Sequence, residues 1–183
     1  MEEKYTQFRD IPRFTDIGHY NVDYPLNYFV RWIEDEEREM GLQLNPEFQR
    51  GHVWTEQQQV DYIVFLLRGG RSGRDFYFNY PSWHVSVPAG HYNDYVCVDG
   101  FQRITAIRRF IHNEIKVFGS YYEEFTDTMR IISDTVHVNI NDLKTYPEVL
   151  QWYIEMNSGG TPHTSEEIER VKRLLSLAQS SQF

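Results

Sequence analysis

The sequence has little cysteine and a deficit of positive charge. Its 183 residues include one cysteine, Cys97, which lies in an apolar run, so neither a disulfide framework nor a four-cysteine zinc site can form. Lys and Arg total 18 against 27 Asp and Glu, which gives a formal net charge of -9. Because binding to duplex DNA depends largely on Lys and Arg neutralising phosphates, we expect any DNA contact to be indirect.

Long apolar runs are also missing. No stretch approaches the length of a membrane span, and the first residues lack the apolar core of a signal peptide. Together with the single cysteine, this predicts a cytoplasmic protein without a membrane partner. The seven histidines never stand four residues apart on one predicted helix, and there is no Gly-x-Ser-x-Gly elbow. The sequence therefore indicates neither a zinc site nor a Cys or Ser nucleophile.

Aromatic residues, in contrast, are abundant. With 12 Phe, 13 Tyr and 40% hydrophobic residues, the chain can bury enough apolar surface for one domain with a real core. We predict an N-terminal arm over residues 1–22, a core over 23–143 and C-terminal helices packed on the core over 144–183. The aromatic residues of the arm are expected to pack on the core, and they offer a surface for a homodimer.

Periodicity predicts an α+β domain, with a mixed sheet, flanking helices and a C-terminal helical pair. Strands are predicted at 42–44, 76–80, 84–87, 95–98, 114–118 and 135–140. Helix caps are predicted at Asp23, at Thr55 with Gln58, and at Thr164 with Glu167. The apolar stripes of the five helices are Leu26, Phe29, Val30 and Ile33; Val60, Ile63, Val64 and Leu67; Ile104, Ile107 and Phe110; Val149, Leu150, Tyr153 and Ile154; and Ile168, Val171, Leu174 and Leu175.

The most informative stretch covers residues 95–110, which read as a buried strand, a tight turn at Asp99 and Gly100, and a helix. The start of such a helix presents unpaired N–H groups and the positive end of its dipole, and this favours an anion. Gln102 and Arg103 add donors in its first turn, which suggests a phosphate site. The alternative is an ordinary loop with a solvated arginine, and Asp99 could equally be a helix cap.

A second Gln-Arg pair, Gln49 and Arg50, lies in the irregular segment between the strand at 42–44 and the helix after Thr55. Arg50 could instead form a surface ion pair with Glu47, which would matter little. The basic, glycine-rich tract at 68–74 lacks the Lys-Ser/Thr ending of a P-loop, and it is better explained as a helix end followed by a solvated loop.

Three segments together resemble a known family. They are PEFQRGHVW (46–54), VDGFQRITAI (98–107) and YIEMNSGGTPHT (153–164). Their order is similar to that in the N-terminal domain of GmrSD-type modification-dependent restriction systems, with the patterns Pro-x-(Phe/Tyr)-Gln-Arg-x-x-x-Trp, Asp-Gly-Gln-Gln-Arg-(Leu/Ile)-Thr and Phe-x-x-(Leu/Met)-Asn-x-x-Gly. The likeness covers roughly residues 42–171. Phe101 departs from it, because it replaces the first Gln of the second pattern.

The resemblance implies a ParB/sulfiredoxin-like fold that binds and hydrolyses a nucleoside triphosphate with Mg2+ and governs a separate HNH nuclease domain, usually on the same chain. Asp99, Gln102 and Arg103 would be the catalytic residues, and Asp99 would hold Mg2+, with Glu155 as a second candidate. The nucleotide-binding residues would be Gln49, Arg50, Gly100, Arg103, Thr105 and Asn157. Phe101 puts hydrolysis in more doubt than binding.

Three functions stay open at this point. The first is a nucleotide-binding regulatory domain of a restriction or anti-restriction system. No HNH nuclease follows before Phe183, so the expected protein is a stand-alone regulator, a subunit whose nuclease is elsewhere, or a piece of a longer chain. The second is a catalytically silent module that binds a protein partner. The third is a stand-alone ParB-like nuclease that nicks DNA, which the negative charge disfavours. The first requires Arg50 and Arg103 to converge beside one helix.

Overall fold

A four-stranded sheet forms the centre of the computed structural model, which describes residues 4–11, 20–49, 51–129, 134–158 and 165–180. The strands are β1 (Tyr20–Pro25), β2 (Asp75–Asn79), β3 (Val96–Asp99) and β4 (Thr135–Asn141). The helices are α1 (Leu26–Glu39), α2 (Glu56–Leu67), α3 (Phe101–Ile111), α4 (Tyr146–Ser158) and α5 (Ser165–Ser180), with short 3-10 turns at Phe8–Asp10 and Tyr122–Glu124.

The strands are ordered β1-β4-β2-β3. β1 pairs with β4 and β2 pairs with β3 in antiparallel fashion, whereas β2 and β4 run parallel, with Phe76 opposite Val138. The sheet is therefore mixed, and the predicted α+β class is confirmed. This order places β3 at one edge of the sheet, with α3 following directly from its end.

Alternation along β3 divides the core between the two faces of the sheet. Cys97 belongs to the larger cluster, which lies between the sheet and helices α1, α2 and α3. Val96 and Val98 belong to a second cluster with Phe48 and the apolar residues of α4 and α5. The C-terminal helices thus cover the opposite face of the sheet, next to the strand that leads into α3.

The helix predictions are largely confirmed. The stripe of α1 is buried, the capping box of Thr55 and Gln58 is formed, and α4 and α5 occupy the predicted spans. On α2, however, Tyr62 and Leu66 are buried with Ile63, while Val60 and Val64 are only partly buried. The predicted cap at Thr164 lies outside the described residues.

One predicted helix cap and three predicted strands are wrong. Asp23 does not cap α1, because it lies within β1 and its carboxylate contacts His137 Nδ1 at 2.5 Å. Residues 84–87 form no strand, and the segments 42–44 and 114–118 contribute one isolated bridge each, between Gln43 and Val96 and between Val117 and Ser120. These short segments alternate apolar and polar residues, but they do not pair with a strand of the sheet over their length. In addition, Phe118 adopts a φ of 55°, which a strand does not allow.

Two further expectations are only partly met. In the described part of the arm, Phe8 is 95% exposed, whereas Tyr20 joins β1 and its ring lies 5.3 Å from that of Trp83. In the basic tract, Arg74 is buried rather than solvated, because it donates hydrogen bonds to the carbonyl oxygens of Gly70, Leu66 and Thr135. Buried guanidinium groups require such partners, so Arg74 is structural.

None of the helices in the described ranges combines the length and the apolar character needed to cross a membrane.

Candidate functional site

The candidate site is the junction where β3 turns into α3. Gly100 connects them with a φ of +126°, in a region that residues with a side chain rarely adopt. A Cβ at this position would lie 2.5 Å from Cδ1 of Phe76, closer than carbon atoms can pack. This turn therefore requires glycine for two separate reasons, the backbone angle and the lack of a side chain.

The N-terminus of α3 has no side-chain cap at this junction, and its first backbone N–H, that of Phe101, hydrogen-bonds to the buried Cys97 sulfur. Gly100 has no side chain that could cap the helix, while its carbonyl oxygen already accepts from Ile104 N at 2.8 Å. The first N–H groups of any α-helix lack partners within the helix, and here the dipole adds partial positive charge. A helix start of this kind favours an anion, and the phosphate contact predicted for it stays a prediction.

Arg103 is held in place by three contacts. Its Nη2 donates to Asp99 Oδ2 at 2.7 Å and its Nη1 donates to the carbonyl of Asp75 at 2.9 Å. The guanidinium carbon also lies 5.0 Å from the ring centre of Phe76. The Arg103 side chain is 17% exposed and that of Asp99 is 42% exposed. The arginine is therefore largely immobilised, while its carboxylate partner stays accessible to solvent.

Gln102 binds the segment that follows position 50. Its Oε1 accepts from the backbone N–H groups of Val53 at 2.9 Å and Trp54 at 3.2 Å, and its Nε2 donates to the carbonyl of Gly51 at 3.1 Å. These bonds join residues about 50 positions apart in sequence. The polar side chain of the second motif therefore attaches the first motif to the start of α3.

Gln49 makes a similar link from the other side of position 50. Its side-chain amide donates to the backbone carbonyl of Cys97 in β3. Arg50 itself lies outside the described residues, so its predicted meeting with Arg103 stays a prediction. Its two sequence neighbours nevertheless both contact the β3–α3 junction, Gln49 through Cys97 and Gly51 through Gln102.

Thr105 and Asn157 form local bonds. Thr105 Oγ1 donates to the carbonyl of Phe101 at 2.9 Å, and Asn157 Nδ2 donates to the carbonyl of Tyr153 at 2.7 Å. Both are bonds to the preceding turn of the same helix, which polar side chains often form within helices. Their predicted nucleotide contacts stay predictions.

Two residues near the junction were not predicted from the sequence. His52 lies edge-on to Phe101, with ring centres 6.2 Å apart, and partial burial, assisted by the nearby positive charge of Arg109, lowers its pKa. Arg170 of α5 donates to the backbone carbonyls of Glu47, Phe48 and Gln49. Neither has a local sequence signal, because each contact is made across the fold.

Metal ligands are few at the junction. In the part of the chain that the structure describes, no three His, Cys, Asp or Glu side chains are grouped to hold a metal ion. Asp99 is the carboxylate at the end of β3, and the Cys97 thiol is fully buried, which raises its pKa and keeps it protonated. A lone carboxylate suits Mg2+ that arrives with phosphate ligands, since Mg2+ commonly keeps only one or two protein carboxylates.

Comparison with known proteins bears on this junction. The chain matches no curated protein and no solved structure. A family model described as GmrSD restriction endonuclease, N-terminal domain, matches residues 30–135, more than half of the 183 residues. The match includes both segments that meet at the junction, and it indicates a role in a DNA restriction system. The chain therefore belongs to the family of GmrSD restriction endonuclease N-terminal domains.

Proposed function

We propose that the β3–α3 junction binds the phosphates of a nucleoside triphosphate with Mg2+, and that this binding regulates a nuclease subunit of the restriction system. DNA would then be reached through that partner, in agreement with the net charge of -9.

One observation carries this proposal. The two Gln-Arg segments, far apart in sequence, are attached to one another at the start of α3 by the side chains of Gln102 and Gln49. A helix N-terminus alone is common, but here a second polypeptide segment is bound beside it through three backbone groups. This arrangement supports a built site for an anion in preference to a solvated turn.

Arg103 supports the same proposal because its guanidinium is already oriented. The bond to the Asp75 carbonyl and the contact with Phe76 reduce the rotamer freedom that Arg103 has left to lose when a ligand binds. Its ion pair with Asp99 involves a carboxylate that is 42% exposed, which makes the pair weak enough to be exchanged for a phosphate contact. Asp99 would then be the carboxylate that holds Mg2+, whose charge offsets that of the phosphates.

Binding rather than turnover is the proposed basis of regulation. Gln102 Oε1 already accepts two backbone hydrogen bonds, which leaves it poorly placed to orient a water molecule. Phe101 contributes no polar group where the family pattern has Gln. We therefore expect slow hydrolysis, and a dissociation constant in the micromolar range.

Thermal shift and calorimetry with ATP, GTP, CTP and UTP in the presence of Mg2+ test this function, because a ligand that binds the folded state raises Tm with its concentration.

Arg103→Ala should weaken binding of the preferred nucleotide at least tenfold. It should also lower stability by about 1–2 kcal/mol, because a charge-assisted hydrogen bond to the Asp75 carbonyl is lost. Arg103→Lys keeps the charge and should bind with intermediate affinity. Arg50→Ala tests the second arginine.

Arg108→Ala is the matched control. Arg108 lies on the same helix, is 28% exposed and pairs with Glu37 on α1, so its loss should affect stability without affecting affinity. If none of the four nucleotides stabilises the protein at millimolar concentration, the proposed function is wrong. A nuclease partner that binds equally well with and without nucleotide would instead favour the silent interaction module.

A further inference from the structure

Arg170 connects the last described helix to the candidate site. Its Nη1 donates to the carbonyl of Glu47 at 3.1 Å, and its Nη2 donates to the carbonyls of Phe48 at 3.1 Å and Gln49 at 2.8 Å. These three oxygens belong to consecutive residues, so one guanidinium binds a continuous piece of backbone more than 120 residues away in sequence. Such bonds to a charged donor are stronger than neutral ones.

The middle residue of this piece is also anchored through its side chain. Phe48 is 1% exposed and belongs to the second core cluster, with its ring 5.1 Å from that of Tyr153 on α4. Val171, the sequence neighbour of Arg170, is buried in the same cluster. The segment 47–49 is therefore held through the Phe48 side chain, which lies in the cluster of α4 and α5, and through the backbone bonds to Arg170 of α5.

The same segment continues into the candidate site. Gln49 donates to the Cys97 carbonyl, and two residues later Gly51 accepts from Gln102. Arg170 thus holds residues 47–49, and Gln102 holds residues 51–54 further along the same segment. The loop has one attachment on α5 and another on α3.

We propose that Arg170 is a positioning residue, which orients the loop of the candidate site and couples that site to the C-terminal helices. The nucleotide-dependent part of this inference rests on the proposed function. A ligand that stabilises the bound positions of segments 47–49 and 51–54 also stabilises α5 in its docked position. By thermodynamic reciprocity, a partner that displaces α5 lowers the affinity for the ligand. α5 is then the element through which occupancy of the site reaches a nuclease subunit.

Hydrogen exchange of the full chain tests the connection without any ligand. Arg170→Ala should speed exchange about tenfold at the Gln49 N–H, which donates to the Pro46 carbonyl at 2.9 Å. Arg170→Lys should recover part of the protection, since a single ammonium cannot reproduce the fork of the guanidinium. Arg173→Ala is the matched control, because Arg173 lies one turn along α5 and donates to the Glu169 carbonyl of its own helix.

Exchange with Mg2+ and the preferred nucleotide then tests the coupling. In the wild-type chain, nucleotide should slow exchange across 168–180, and Arg170→Ala should abolish this effect and weaken binding about fivefold or more. Arg173→Ala should bind within twofold of wild type.

The outcomes separate the two proposals. If the Gln49 N–H exchanges equally in Arg170→Ala and Arg173→Ala, the positioning role is wrong, whatever the nucleotide does. If the exchange difference is present but no nucleotide binds, the positioning role is supported and the proposed function fails. If nucleotide binds equally well to Arg170→Ala and still protects α5, the coupling is overturned although the proposed function stands.

Discussion

At the scale of single residues, Gly100 determines the shape of the junction. Its φ of +126° and the 2.5 Å that would separate an added Cβ from the Phe76 ring are independent obstacles to any side chain. Phe76 is fully buried in the main core, so it has little room to move. The backbone of the candidate site is therefore tied directly to core packing.

Gly100→Ala is expected to lower the free energy of unfolding by about 3 kcal/mol, as the sum of backbone strain and overpacking. Urea denaturation measures this loss. Gly90→Ala is the control, because Gly90 also has a positive φ, of +85°, but nothing lies within 4 Å of an added Cβ. It should lose only about 1 kcal/mol, from strain alone. Equal losses in the two variants would show that the Phe76 contact does not matter.

Sequence reasoning succeeds for residues whose role is local and fails where the partner is distant. Asp99, Gly100 and Arg103 could be assigned to one turn because they are adjacent in sequence. The bond from Arg103 to the Asp75 carbonyl and the role of Arg170 could not, since both depend on how separate elements pack. Asp23 shows the same limit. Its sequence suggests a helix cap, but pairing with β4 places it in a strand.

At the scale of elements, the loop after position 50 is organised by α3 rather than by its own sequence. Residues 51–55 have no regular secondary structure, and their N–H groups at Val53 and Trp54 are satisfied by Gln102. The capping box then starts α2 at once, with Thr55 and Gln58. The loop is therefore fixed at both ends without being a helix or a strand.

Gln102→Ala should release this loop. The variant removes three hydrogen bonds, two of them exposed and one partly buried, and should cost about 1–2 kcal/mol of stability. Exchange at the Val53 and Trp54 N–H groups should be about tenfold faster. Hydrogen exchange by NMR measures both sites. Gln57→Ala is the control, since Gln57 makes only an exposed bond to Asp61 one turn along α2. Unchanged exchange at both amides in Gln102→Ala would contradict the attachment.

Elements with strong periodicity were predicted well, whereas short alternating segments were not. The stripe of α1 and the strand that leads into α3 follow directly from apolar spacing, and both are buried as expected. The wrong strands at 84–87 and 114–118 have the right alternation but no neighbour to pair with in the sheet. A strand is stabilised by its partner, so its own sequence is insufficient evidence.

At the scale of the whole molecule, the two faces of the sheet are covered by different helices. The larger cluster joins α1, α2 and α3 to the sheet and gives the domain its main core. The second cluster joins α4 and α5 to β3 and to Phe48. Both clusters share β3, so we expect them to unfold together in one cooperative transition.

Leu150→Ala tests this expectation. Leu150 is fully buried in the second cluster, so its truncation should lower stability by about 3 kcal/mol through lost burial and a cavity. Urea unfolding followed by far-UV circular dichroism and by tryptophan fluorescence should give coincident curves. Leu177→Ala, at a position that is 66% exposed, should change stability by no more than about 0.5 kcal/mol. Separate transitions for the two probes would show that the C-terminal helices unfold independently.

The edge position of β3 has a consequence for association. Backbone groups of Tyr95 and Cys97 on its outer side are already used, because Gln43 N–H donates to the Tyr95 carbonyl at 2.8 Å and the Gln43 carbonyl accepts from Cys97 N–H at 2.9 Å. The Gln49 side chain covers the Cys97 carbonyl. An incoming polypeptide therefore finds these groups already bonded, which protects this part of the border against extension into fibres or intermolecular β-pairing.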